Sequence, residues 1–110
     1  MLSAVDFIHS VGLCHRDLKL ENLLVDDHCN LRLIDFGMSM RLVDLLDENT
    51  PNPNEGTAYY KAPEIDKEEP VQDGTKSDVF ALGCILFTMY FYVYPWASAS
   101  VAPHQYERYY

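Results

Sequence analysis

Positive charge is scarce in this chain: 8 lysines and arginines stand against 17 aspartates and glutamates in 110 residues, for a net charge of −9 and a pI near 4.6. Binding to a phosphate backbone depends on clustered Lys and Arg, so DNA and RNA are excluded as principal partners. Cysteine is also sparse. Cys14, Cys29 and Cys84 are odd in number and form no C-x-x-C pair, which excludes a disulfide framework and a thiolate zinc site. With no signal peptide at the N-terminus, the thiols point to a reducing, intracellular setting, cytoplasmic with the nucleus left open. No repeat recurs at any period, which excludes a solenoid. A hydrophobic content of 48% is too high for intrinsic disorder, and the length allows one domain at most.

Charge is missing altogether from residues 79–103, where a long apolar run raises the question of a membrane span. Tyrosines and a threonine interrupt it, Pro95 breaks it, and no basic cluster follows, so a buried core helix is the reading preferred over a span. Ser77 or Asp78 is the expected N-cap of that helix and Pro95 its end. Earlier, residues 1–11 set Leu2, Val5, Phe7 and Ile8 near one broad face and stop at Gly12, which predicts a short amphipathic helix. No capping residue precedes Leu2, as expected for the end of a longer helix. Residues 23–25 and 31–34 are apolar runs separated by Asp26, Asp27, His28, Cys29 and Asn30, a composition that predicts a hairpin with a polar turn. Residues 37–59 and 66–74 read as loops, both acidic. His9, His28 and His104 have no partners by spacing and are expected at the surface.

The chemistry lies between the first helix and the hairpin. His15-Arg16-Asp17-Leu18-Lys19-Leu20-Glu21-Asn22 matches H-R-D-L-x-x-x-N at its full spacing, Asp35-Phe36-Gly37 follows the hairpin, and Ala62-Pro63-Glu64 follows the loop. Alone, Asp17 reads as a loop residue, Asp35 as a turn residue and Asn22 as a cap. Three signatures in one order remove that alternative. The chain resembles the C-terminal lobe of a eukaryotic protein kinase from the first helix through Asp78-Val79-Phe80-Ala81-Leu82-Gly83, the start of the family's buried central helix.

The resemblance implies an α+β fold, mainly α, with residues 1–110 forming a partial kinase domain: a helix, a catalytic loop, a small hairpin, an activation loop and a central helix. It implies ATP-dependent phosphorylation of protein Ser/Thr hydroxyls with magnesium, a transfer dominated by positioning and charge neutralisation. Asp17 matches the catalytic base, and Lys19 the lysine that neutralises the γ-phosphate. Asn22 and Asp35 match the magnesium ligands, and Leu24 lies beneath the adenine with Ile85 and Met89 supporting it. Lys19 and Gly56-Thr57 favour a serine/threonine type, with Thr57 placed to bond Asp17. His15 is implied to be structural, packing on Phe36. Arg16 implies a basic pocket for an activation-loop phosphate, yet between Gly37 and Gly56 only Ser39 and Thr50 carry hydroxyls, and Pro53 occupies the place of the usual phosphothreonine. Glu55, or Asp44, Asp47 and Glu48, are expected to substitute for phosphate against Arg16 and Arg41.

No G-x-G-x-x-G and no V-A-I-K occur in these 110 residues, so the glycine-rich loop and strand lysine of an N-terminal lobe are not among them. The segment is therefore expected to be inactive by itself, to leave Glu64 without the arginine that normally pairs with it, and to expose apolar flanks of the central helix. Partners implied are a protein substrate bearing Ser or Thr and a complementing N-lobe or other chain. The alternative function is a non-catalytic interaction module built on the loop and the central helix.

Overall fold

The computed structural model of the chain describes residues 1–47, 56–66 and 73–96. Helix α1, Leu2–Ser10, buries Val5 and Ile8, three residues apart and so on one face, while Leu2 and Phe7 remain exposed. It ends as its composition dictates. Gly12 takes the left-handed φ of 78° and donates its N–H to the His9 carbonyl at 3.0 Å, closing the last turn. No side chain caps its N-terminus.

Beyond Gly12 the chain enters β1, Leu13–Cys14, which pairs antiparallel with β4, Met40–Arg41, in the register Leu13↔Arg41 and Cys14↔Met40. The sequence offered no sign of this ladder, because two-residue strands are too short to display a period of two. The hairpin falls where its composition placed it. β2, Leu23–Val25, pairs with β3, Leu31–Leu33, and the following Ile34 N–H donates to the Asn22 carbonyl at 3.0 Å to extend the ladder. Its turn is organised by Asp26, whose carboxylate accepts the N–H groups of His28 and Asn30 at 3.0 and 2.8 Å and the Arg32 guanidinium at 3.1 Å.

Residues 37–59, read as loop, hold β4 and a 3₁₀ turn over Asp44–Leu46 among their described part. Of residues 66–74, Asp66 closes the short helix α2, Pro63–Asp66, and Gly74 opens α3, Gly74–Phe91; residues 67–72 lie outside the described residues. The expected bounds of the central helix need correction at both ends. Asp73, not Ser77 or Asp78, is the N-cap, accepting from the Thr75 N–H at 3.0 Å and the Thr75 hydroxyl at 2.6 Å. Tyr92 in the left-handed conformation, rather than Pro95, ends it, its N–H bonding the Thr88 carbonyl. The earlier start leaves Asp78 inside the helix, free to face the interior.

Val5, Leu18, Tyr60, Ala81, Leu82, Cys84 and Ile85 form the core, with Leu23, Leu33, Phe80 and Trp96 packed against it. One side of α3 faces this core; Val79, Leu86, Met89 and Tyr90 are exposed, as expected for apolar flanks of the central helix. Among the described residues no helix is long and apolar enough to cross a membrane.

The first residue of α3 approaches β1 closely. A Cβ on Gly74 would collide with Leu45 Cδ1 and come within 2.9 Å of Cys14 Sγ. Helix propensity favours alanine over glycine by about 1 kcal/mol, whereas overpacking costs about 1–3 kcal/mol, so sterics should win. Gly74→Ala is expected to lower the urea midpoint; a raised midpoint would show that Leu45 gives way freely.

Candidate functional site

The residues after β1 run away from the sheet in a loop whose backbone is fixed by one carboxylate. Asp78, 1% exposed on α3, accepts the His15 N–H at 2.8 Å on Oδ2 and the Arg16 N–H at 2.9 Å on Oδ1. Its Oδ2 also lies 2.8 Å from His9 Nε2 on α1. Aiming two successive amides at one carboxylate requires an unusual turn, and Arg16 has a left-handed φ of 69°. Such a conformation costs a non-glycine residue about 1–3 kcal/mol, which charge-assisted hydrogen bonds of about 1.5–3 kcal/mol each offset.

His15 itself is fully buried. Its Nδ1 accepts the Asp17 N–H at 3.3 Å, so the ring proton sits on Nε2 and is donated to the Ile34 carbonyl at 3.1 Å. The ring meets Phe36 edge-on at 5.0 Å between centroids. His15 thus links the loop after β1 to the residues on either side of Asp35, including the packing on Phe36 that the resemblance implied.

Asp17 is the centre of a polar cluster and is 6% exposed. The Thr57 hydroxyl donates to its Oδ1 at 2.7 Å, Lys19 Nζ donates to its Oδ2 at 2.5 Å, and Asn22 Nδ2 donates to its main-chain carbonyl at 2.9 Å. Lys19 Nζ also reaches Thr57 Oγ1 at 3.2 Å, closing a triangle. Burial pushes the Asp17 carboxyl up, but the Lys19 ammonium, the Thr57 hydroxyl and the Asn22 amide together outweigh it and hold the group below the ordinary carboxylate range. At neutral pH Asp17 is ionised.

Asn22 is also buried, and its amide nitrogen is committed to Asp17, leaving Oδ1 as an oxygen donor. The bond from Ile34 N–H to the Asn22 carbonyl brings Asp35 to the same end of the hairpin. Asp35 is exposed, has a left-handed φ of 61°, and accepts the Gly37 N–H on Oδ1 at 3.2 Å. Leu24 lies on β2 opposite Arg32 and is half exposed. The expected support beneath Leu24 needs correction. Leu23, not Leu24, packs against the core that holds the fully buried Ile85, and Met89 is exposed outside it. The β pleat explains this, since adjacent residues on a strand point to opposite faces.

Other expectations meet specific outcomes. Arg41 is held by Asp44 in a forked pair, both contacts at 2.7 Å, an exposed interaction that solvent screens. Arg16 Nη1 donates to the Met38 carbonyl at 3.4 Å. Glu48, Thr50, Pro53 and Glu55 lie outside the described residues. Glu64, expected to lack its partner, accepts from the Ser77 hydroxyl at 3.4 Å. The reading of His9 as an unpartnered surface residue is overturned by its contact with Asp78. Asp78 too was misjudged as a cap. The signal available in the sequence is a single acid directly before the uncharged run of residues 79–103, where a buried polar side chain is retained only with partners. Burial and the Asp78 charge push the Cys14 thiol up to about 11, and burial does the same for Cys84, so neither is a nucleophile.

Comparison with known proteins gives the family. The protein kinase domain family model matches residues 1–109, and the chain belongs to that family. CBL-interacting serine/threonine-protein kinase 15 of Arabidopsis thaliana is 45% identical over 89 residues, covering 81% of this chain and 21% of that protein. Serine/threonine-protein kinase chk-2 of Caenorhabditis elegans is 42% identical over 90 residues, 79% of this chain and 18% of its own length. CBL-interacting protein kinase 32 of Oryza sativa subsp. japonica is 42% identical over 89 residues, 81% of this chain and 20% of that protein. The chain spans about a fifth of the length of these curated relatives.

Two outcomes follow from the buried carboxylates. Asp78→Ala leaves the His15 and Arg16 amides without acceptors and should cost at least about 2 kcal/mol. Amide hydrogen exchange at those two positions should accelerate more than at Val5 or Ile8; uniform acceleration would argue against a local anchoring role. For Asp17, the folded-state pKa lies below the unfolded value, so its stabilisation is present above about pH 4 and is lost as pH falls through the folded value. Asp17→Asn should therefore flatten the acid limb of the stability profile, and an unchanged limb would contradict the assignment.

Proposed function

We propose that residues 1–110 are the C-terminal-lobe part of a serine/threonine protein kinase domain, and that the Asp17 cluster belongs to an ATP-dependent phosphoryl-transfer site for protein Ser/Thr hydroxyls. The observation that carries this reading is the set of bonds on Asp17: an ionised carboxylate held by Lys19, Thr57 and Asn22 at a fixed place. A carboxylate in that state orients a substrate hydroxyl and accepts its proton as the hydroxyl attacks phosphorus. Lys19 sits one hydrogen bond away, where its ammonium offsets negative charge arriving beside Asp17. Thr57 ties the segment before Pro63 to the base, so the substrate-facing loop and the catalytic loop are positioned together.

The donor set fits a hard divalent cation. Asn22 offers Oδ1 because its nitrogen is spent on Asp17, and Asp35 offers the carboxylate oxygen not used by Gly37. Magnesium favours one or two such protein oxygens, with water and phosphate oxygens completing its shell. When bound there, it supplies neutralisation of phosphate charge. Leu24, exposed on β2, offers an apolar surface for the adenine.

These 110 residues carry one wall of a nucleotide cleft, and we place the glycine-rich loop and its paired lysine on a complementing lobe. Transfer by the segment alone is therefore expected to be negligible, while its free thiols fit an intracellular, cytoplasmic location. The exposed Leu86, Met89 and Tyr90 face of α3 favours a second reading, a kinase lobe used for protein interaction without catalysis.

Calorimetric titration of the 110-residue chain with Mg·ATP separates the two. Saturable binding that Asp35→Asn weakens by about tenfold or more supports the nucleotide-site reading. No binding by a sample shown to be folded by circular dichroism would overturn it for this chain and favour the interaction module.

A further inference from the structure

We infer that Lys61 is a specificity-determining residue that selects an acidic side chain close to the phosphoacceptor in the substrate protein. This deepens the reading above and rests on it. The Tyr60 and Lys61 N–H groups both donate to the Thr57 carbonyl, at 2.9 and 3.1 Å, so residues 57–61 form a single turn. Thr57 Oγ1 at the start of that turn bonds Asp17, and Lys61 closes it. The Lys61 stem runs along Gly56, where a Cβ would meet its Cγ at 3.6 Å and its Cε at 3.7 Å. Lys61 and Asp17 also line one small cavity, about 20 Å³, together with Gly56 and Thr57.

Among the described residues the charge of Lys61 has no counterpart. Lys19, Arg32, Arg41 and Lys76 each face an aspartate, whereas among the described residues the Lys61 ammonium has neither an ion pair nor a hydrogen bond. In a chain of net charge −9, a half-buried cation that no carboxylate among the described residues pairs with, one turn from Thr57 and lining the same cavity as Asp17, is a site for a negative charge supplied from outside. The chain's own carboxylate nearest the reaction, Asp17, is already occupied by Lys19, Thr57 and Asn22.

Distance fixes which substrate residue is read. A substrate hydroxyl must reach Asp17, and an extended peptide advances about 3.3 Å per residue. Lys61 lines the same small cavity as Asp17, so a side chain one or two residues from the acceptor is the one within its reach. An aspartate or glutamate there meets the ammonium, while a lysine is repelled.

Fluorescence anisotropy on the 110-residue chain tests this with labelled serine-centred peptides: one with aspartates after the serine, one with aspartates before it, one with lysines on both sides, and one with alanines. One aspartate peptide should bind about fivefold more tightly than the alanine peptide. That preference should vanish in Lys61→Met, which keeps the stem on Gly56, and turn towards the lysine peptide in Lys61→Glu. It should also weaken with added salt. Equal binding of the aspartate and alanine peptides, absence of peptide binding, or a preference that survives Lys61→Met would overturn the assignment. Mg·ATP titration of the same sample distinguishes the two failures: saturable nucleotide binding without a peptide preference removes only the role of Lys61, and loss of both removes the kinase-site reading as well.

Discussion

One buried carboxylate holds the geometry on which the rest of this structure depends. Asp78 projects from α3 into the space between α1 and β1 and accepts from His9, His15 and Arg16 at once. A carboxyl side chain at 1% exposure is tolerable only if its oxygens are hydrogen-bonded. The reverse dependence matters as much: the left-handed Arg16 turn persists because two amides converge on those oxygens. Helix, strand and loop are thereby locked by bonds that cannot be broken singly without leaving a buried donor or acceptor unpaired.

From that anchor the polar cluster around Asp17 follows in sequence. Fixing His15 and Arg16 sets the direction of Asp17, and the His15 ring, proton on Nε2, ties the same loop to Ile34 beside Asp35. Asp17 then gathers Lys19 and Asn22 from the stretch just before the hairpin and Thr57 from the segment before α2. Burial acts to protonate Asp17 and the three donors act to keep it charged; the donors win. The outcome is an anion fixed in place with little reorganisation left to make, the condition under which a carboxylate is most effective at orienting a proton donor.

Much of this was readable from residue order. The hairpin, the first helix and its stop at Gly12 came from local composition, which acts within a few residues and is written directly in the chain. The set Asp17, Lys19, Asn22 and Asp35 came from the family resemblance that the three motifs carry, which also implied Thr57 on Asp17. What escaped was non-local. β1 and β4 are two residues each and gain meaning only in one another's presence. Asp73, Ser77 and Asp78 are equally plausible caps by type, and only the close approach of Gly74 to Cys14 and Leu45 fixes where the helix begins. His9 lacked a visible partner because that partner lies 69 positions away.

The same division applies to the face that Leu24 presents. Alternation along β2 puts either Leu23 or Leu24 towards the core, and nothing in the three apolar residues of that strand says which; packing against the cluster around Ile85 chose Leu23. By itself, then, the sequence determined the family, the order of the chemical groups and the local turns that carry them, since these depend on residue type and short spacing. Tertiary structure alone decided the pairing of His9 and Asp78, the start of α3 and the bond from Thr57 to Asp17, because each is set by groups distant in the chain that meet only once the core has closed.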